Sequence, residues 1–114
     1  MEPEDLWRIQ HMIDAAEQAL DFVAERQRED LNGDAMLRLA LVRAVEIVGE
    51  AAAQVTENGR GELPDIPWPQ IIGMRNRLVH AYFDIDLDIL WDTVLLALPK
   101  LLRQLREAAK EAKG

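Results

Sequence analysis

Asp34-Ala35-Met36-Leu37-Arg38-Leu39-Ala40-Leu41-Val42-Arg43-Ala44-Val45-Glu46-Ile47-Val48-Gly49-Glu50, continued by AAAQVTE to Glu57, carries apolar side chains at almost every angle around a helix. Met36, Leu37, Leu39, Ala40, Leu41, Val42, Ala44, Val45, Ile47 and Val48 leave almost no polar side. In a short chain this predicts a helix from about Asp34 to Glu57 that is buried on more than one face and needs a partner to cover it. Arg43, Glu46 and Glu50 run through the apolar surface at spacings of three and four. They read first as an intrahelical salt bridge or a surface stripe, the alternative being that Glu46 or Glu50 meets Arg75 of the third helix. Gly49, Ala51, Ala52 and Ala53 are small enough to let a second helix approach closely.

On the amino side, Leu6, Ile9, Ile13, Ala16, Leu20 and Val23 recur at helical spacing, predicting an amphipathic helix from about Asp5 to Glu29. His11 falls among polar neighbours and reads as solvated. Asn32-Gly33 reads as a turn, with Asp34 able to cap the second helix. On the carboxyl side, Asn58-Gly59-Arg60-Gly61 and Pro64, Pro67 and Pro69 predict a loop over 58–69. Trp68 lacks interleaved basic residues, so it reads as a core anchor and not as a base-stacking platform. Asp86 is an N-cap candidate for a last helix through Leu87, Leu90, Trp91, Val94, Leu95, Leu98, Leu101, Leu102 and Leu105, kinked at Pro99. Its basic tail, with Lys100, Arg103, Arg106 and Lys110, is expected to fray into solvent, where it could also contact phosphates. Aspartates 84, 86, 88 and 92 lack the glycine and closing glutamate of a calcium loop, so no metal is assigned to them.

Hydrophobic residues make up 49% of the 114, charged residues 30% and aromatic residues 5%. This composition fits one all-α domain over 1–114, an antiparallel four-helix bundle with room for an extra short helix, completing its burial as a homodimer. With no cysteine, disulfides and thiolate metal sites are excluded. No run of 18 apolar residues occurs, and the start, MEPEDLWR, is acidic. A cytoplasmic protein with no membrane association is therefore expected. A formal charge of −8 argues against broad electrostatic capture of nucleic acid. Arg75 and Arg77, doubled across a dimer, would still make a small cationic cleft.

Between loop and last helix lies Met74-Arg75-Asn76-Arg77-Leu78-Val79-His80-Ala81-Tyr82-Phe83, entered from Pro67-Trp68-Pro69 and expected as the last turns of a third helix. At about 100° per residue Asn76 and His80 would stack, with Arg75 on the neighbouring ridge. An imidazole that can move protons, a guanidinium fork suited to phosphate and an amide to orient either make a set fit for phosphodiester chemistry. The same residues also fit a structural histidine beside a carboxylate-paired arginine.

R-x-x-x-x-H-x-Y, here Arg75, His80 and Tyr82 within MRNRLVHAYFDIDLDILW, resembles the signature of the HEPN superfamily, and closely that of its HepT-like toxin ribonucleases. The likeness extends to the first helix, to AVEIVGEAA and to the Pro-Trp entry. It implies a dimer whose two motifs line one cleft and a metal-independent endoribonuclease, without cofactor, in which a ribose 2′-hydroxyl attacks the adjacent phosphate. His80 would be the general acid or base, Arg75 would stabilise phosphate charge, and Asn76 would hold the imidazole or a phosphate oxygen. Glu46 or Glu50 would steady Arg75 from behind. The partners implied are RNA and an MntA-like nucleotidyltransferase antitoxin that attaches AMP to Tyr82. The competing reading is a non-catalytic helical binding partner of a nucleotidyltransferase.

Overall fold

The computed structural model describes residues 1–81 and 84–113. Helix α1 (Pro3–Val23) starts with a proline in its first turn, where a missing N–H is harmless, and with Glu4 and Asp5 at the positive end of its dipole. It packs antiparallel to α3 (Ala35–Gln54). Two polar fastenings mark the ends of this pair: Asp5 against Thr56, and Arg26 against Asp34 at 3.2 Å. Between them a short turn, α2 (Asp30–Gly33), drops Leu31 fully into the core.

The first helix stops six residues before the expected Glu29. Glu25 takes φ 63°, a left-handed conformation that costs a non-glycine residue on the order of 1 kcal/mol. The run AERQR is helix-forming by propensity, but the chain has to reverse here to bury Leu31 and to set Asp34 at the head of α3. Asp34 caps α3 as expected, its carboxylate accepting from the Leu37 N–H at 3.0 Å.

The second helix ends at Gln54, short of the expected Glu57, and NGRG is helical instead of looped: α4 (Glu57–Gly61) is a turn capped by the Thr56 hydroxyl. The reason is Asp5, which is 2% exposed. Its two oxygens accept from the Thr56 N–H at 3.0 Å and the Thr56 hydroxyl at 2.6 Å, drawing Thr56 out of α3 and into a new cap. A Cβ on Gly59 would meet an Asp5 oxygen at 2.5 Å, so a side chain there would displace the carboxylate. After α4, Trp68 is buried as anticipated and donates from Nε1 to the Leu63 carbonyl at 3.1 Å.

The third helical segment crosses α3 in two pieces, α5 (Trp68–Ile72) and α6 (Met74–Leu78). Gly49 of α3 makes this crossing possible, since a Cβ there would lie 3.2 and 3.3 Å from the Ile72 and Ile71 carbonyl oxygens. The last helix is a continuous rod, α7 (Leu87–Asp92), a π-helical turn (Thr93–Ala97) and α8 (Leu98–Lys113). Pro99 has no N–H and its ring would press on the carbonyl four residues back, so the widened turn just before it relieves what the sequence suggested as a kink. The basic tail does not fray: it stays helical through Lys113, held by buried Leu101, Leu102, Leu105 and Ala108. Ion pairs Arg106–Glu17 at 3.3 Å and Arg28–Asp88 at 2.7 Å run this rod antiparallel to α1.

These pieces form an all-α helical bundle around Ile9, Met12, Leu41, Val45, Val48, Leu78, Leu90, Leu98 and Leu105. Within one chain α3 buries a single face. Met36 is 83% exposed and Leu39 64% exposed, and Val42 and Ile47 are half-buried. Among the described residues no helix is long and apolar enough to cross a membrane.

The two fastenings can each be tested by one substitution. Asp5→Ala strands the Thr56 N–H and hydroxyl and should cost about 1–3 kcal/mol, read as a lower urea midpoint at unchanged m. The Leu37 N–H first, and then Arg26, hold the Asp34 carboxyl below its ordinary value of 3.8. Its charged form therefore contributes stability above that range and loses it as the pH falls through the lowered value. Asp34→Asn keeps a cap but no charge, so the gap in urea midpoint between it and wild type should be open at neutral pH and close in acid.

Candidate functional site

Arg75, Asn76 and Arg77 lie on α6, and the helix ends one residue later at Leu78. Val79–Ala81 is a strand, β1, paired antiparallel with β2 (Asp84–Ile85), with Val79 opposite Ile85 and Ala81 opposite Asp84. His80 is therefore not stacked above Asn76 on a helix, and the expected helical convergence of the three groups is corrected. Val79 and Ile85 are β-branched residues that favour extended backbone, and the Asp86 N–H closes the reversal by donating to the Leu78 carbonyl at 2.7 Å. Tyr82, the expected modification site, lies outside the described residues.

Arg75 and Asn76 share a cleft of about 190 Å³ with Glu46, Gly49, Glu50, Ala53 and Ile72. The Arg75 Nε donates to a Glu46 carboxylate oxygen at 2.8 Å, a charge-assisted bond between α6 and α3. The terminal amino groups of the fork are not used in that bond, and the Arg75 side chain is about half exposed. Both readings of the α3 polar row hold together: Glu46 meets Arg75, while Arg43 lies 3.7 Å from Glu46 and 3.6 Å from Glu50 along the helix. Asn76 is exposed at the cleft edge, its backbone N–H donating to the Gly73 carbonyl.

Arg77 is turned away, donating to the Gln70 carbonyl at 3.1 Å. Within one chain Arg77 does not line the Arg75 cleft, and Glu46 balances the charge of Arg75. This local neutrality makes the cleft a place for one aimed guanidinium and not a broad electrostatic trap.

His80 is 53% exposed, and its Nε2 lies 3.8 Å from Oδ2 of Asp86. The other oxygen of Asp86 accepts from the Ile89 N–H at 3.0 Å and so caps α7. Sequence reading assigns Asp86 the cap alone. The strand register adds a second role, setting a carboxylate beside the imidazole, and no local spacing rule announces it. The remaining aspartates are dispersed, with Asp88 bound to Arg28 and Asp84 on β2. Among the described residues no three His, Asp or Glu side chains converge as a metal site.

A polar cleft built on an ion-paired arginine and, a few residues along the chain, an exposed histidine near an aspartate are groups of the kind that proton transfer beside a phosphate uses. Comparison with known proteins agrees with that chemistry. The family model described as "Ribonuclease HepT-like" matches residues 12–108. The chain is 36% identical over 93 residues to "Probable ribonuclease HepT" of Thermococcus cleftensis, covering 82% of this chain and 84% of that protein. It is 33% identical over 105 residues to "Putative RNase TTE0752" of Caldanaerobacter subterraneus subsp. tengcongensis, covering 92% and 94% of the two chains. "Putative RNase MJ1380" of Methanocaldococcus jannaschii is 32% identical over 93 residues, with 82% and 85% covered. No solved structure matches at the same stringency. With an R-x-x-x-x-H motif on a helical bundle and a family match across most of its length, the chain belongs to the HepT-like ribonuclease family.

Proposed function

We propose that this protein is a metal-independent endoribonuclease acting as the toxin of a toxin–antitoxin pair. The observation that carries the reading is the Glu46–Arg75 bond beside Asn76, with the His80–Asp86 pair a few residues along the same short segment. The ribose 2′-hydroxyl gives up its proton to one imidazole and its oxygen attacks the neighbouring phosphorus. The P–O5′ bond breaks, leaving a 2′,3′-cyclic phosphate, and the departing 5′-oxygen takes a proton from an acid. His80 serves as base or acid. Its twin in a second copy takes the other role. Arg75 stabilises the charge that builds on the non-bridging oxygens, and Asn76 orients a phosphate oxygen or the imidazole. Asp86 is a positioning residue for His80, and Glu46 is one for Arg75.

Pairing of two copies is supported by the uncovered apolar side of α3, where Met36 and Leu39 stand in solvent. The antitoxin in this reading is an MntA-like nucleotidyltransferase. The Tyr82 phenol oxygen attacks the α-phosphorus of a nucleoside triphosphate and pyrophosphate leaves, so that the tyrosine carries AMP. The added phosphodiester anion competes with RNA for Arg75.

A net charge of −8 favours a second reading, a non-catalytic helical partner for a nucleotidyltransferase. Cleavage assays separate the two. With EDTA present the purified protein should cleave RNA, and His80→Ala should lower kcat by about 10²–10⁴-fold at an unchanged urea midpoint. Cleavage undiminished in that variant would leave the binding-partner reading standing. Arg75→Ala should lose about 10²–10³-fold in kcat. Arg75→Lys should not restore the loss, because an ammonium cannot hold Glu46 and phosphate as a planar fork does. Glu46→Gln should show a smaller drop.

A further inference from the structure

The first turns of α1 hold an aromatic and cationic group that the site above does not use. Trp7 is 54% exposed, unlike Trp68, which is 6% exposed. The His11 ring centroid lies 4.2 Å from that of the indole, tilted by 55°, and the Arg8 guanidinium sits 4.6 Å over the same indole. His11, expected to be solvated, is instead half-buried. With Arg8 it walls a groove of about 360 Å³ between α1 and α3, closed by Ile47, Glu50, Ala51 and Gln54. Glu50 also lines the cleft of Arg75 and Asn76, so groove and cleft lie on the two flanks of α3, divided by one side chain.

We propose that this groove is a nucleobase subsite, taking a base of the same RNA strand whose phosphate enters the Arg75 cleft; it rests on the ribonuclease reading. Ile47 and Ala51 supply an apolar floor. The His11 imidazole, backed by the Trp7 indole, supplies a stacking face, and Arg8 supplies a cation for the adjoining phosphate. Glu50 is an acceptor for an exocyclic amino group, as carboxylates are for cytosine N4, and the Gln54 amide can answer a ring nitrogen or carbonyl. The groove therefore favours bases that carry an amino group over uracil. A second copy is the less suitable occupant. The groove rim is polar, with Arg8, His11, Glu50 and Gln54, whereas a contact between two copies needs an apolar patch.

The test uses 2′-O-methyl oligonucleotides, oligo-C and oligo-U, which lack the attacking hydroxyl, and reads tryptophan fluorescence and Kd. Oligo-C should quench the fluorescence and bind more tightly than oligo-U. His11→Ala and Trp7→Ala should each weaken oligo-C by about 5- to 100-fold. Glu50→Gln should erase the preference for C over U. Cleavage of ordinary RNA is scored separately. If wild-type protein cleaves RNA while His11→Ala and Trp7→Ala leave Kd and quenching unchanged, the subsite is overturned and the ribonuclease reading stands. If wild type neither cleaves nor binds, both fall. Binding with the predicted losses but no cleavage would support the subsite and remove the catalytic assignment. A change in oligomeric state in Trp7→Ala, with oligonucleotide binding untouched, would make the groove a contact between copies and overturn the proposal.

Discussion

The approach of α5 to Gly49 governs the rest of this molecule. Two backbone carbonyl oxygens, of Ile72 and Ile71, lie 3.2 and 3.3 Å from where a Cβ on residue 49 would sit. Glycine gives that clearance, and a Cβ in its place would make a contact tighter than usual against the third helical segment. Because α5 sits so close, α6 comes directly over α3, and the Nε of Arg75 arrives at Glu46 within hydrogen-bond distance. A side chain at 49 would press the crossing outward by a few tenths of an ångström, and the Arg75–Glu46 bond would have to absorb that shift. The aim of the one guanidinium in the cleft is therefore a property of backbone packing.

A second constraint acts at the far end of the motif. The chain has to leave α6, reverse and enter α7 within a few residues, and it does so with a two-stranded ladder ending on Asp86. One carboxylate then serves two elements, a helix cap through one oxygen and an imidazole neighbour through the other. The strand register thus sets His80 near the start of the last helix. Charge is placed economically: Glu46 is paired with Arg75 and Asp86 caps α7, so the Arg75 cleft is locally neutral on an acidic protein.

Much of this is legible along the chain. The stripe Ile9, Ile13, Ala16 and Val23 and the series Leu90, Val94, Leu98, Leu101 and Leu105 are buried where periodicity puts them, Trp68 anchors the connection, and Asp34 and Asp86 cap their helices. The small residues around Gly49 announce a close crossing. The helix boundaries that differ from expectation at Gln54 and Glu57 share one cause. Asp5 lies 51 residues from Thr56, yet it ends α3 and starts α4 by competing for the Thr56 donors, and no window of local sequence contains that contact. His80 leaves its expected helix for a similar reason, since pairing with 84–85 outweighs a short helical pattern.

Residue types and their order settled the chemistry available: an arginine, an amide and an imidazole in a fixed spacing, in an all-helical chain without cysteine. These come from side-chain composition and from periodicity, which act over a few neighbouring residues. Which groups meet was left to packing. That Glu46 and not Arg77 attends Arg75, that Asp86 lies near His80, and that Arg8 and His11 wall a groove on the far side of Glu50 are outcomes of contacts between separate elements. Such contacts depend on crossing distances and strand register, quantities that exist only once the bundle has closed.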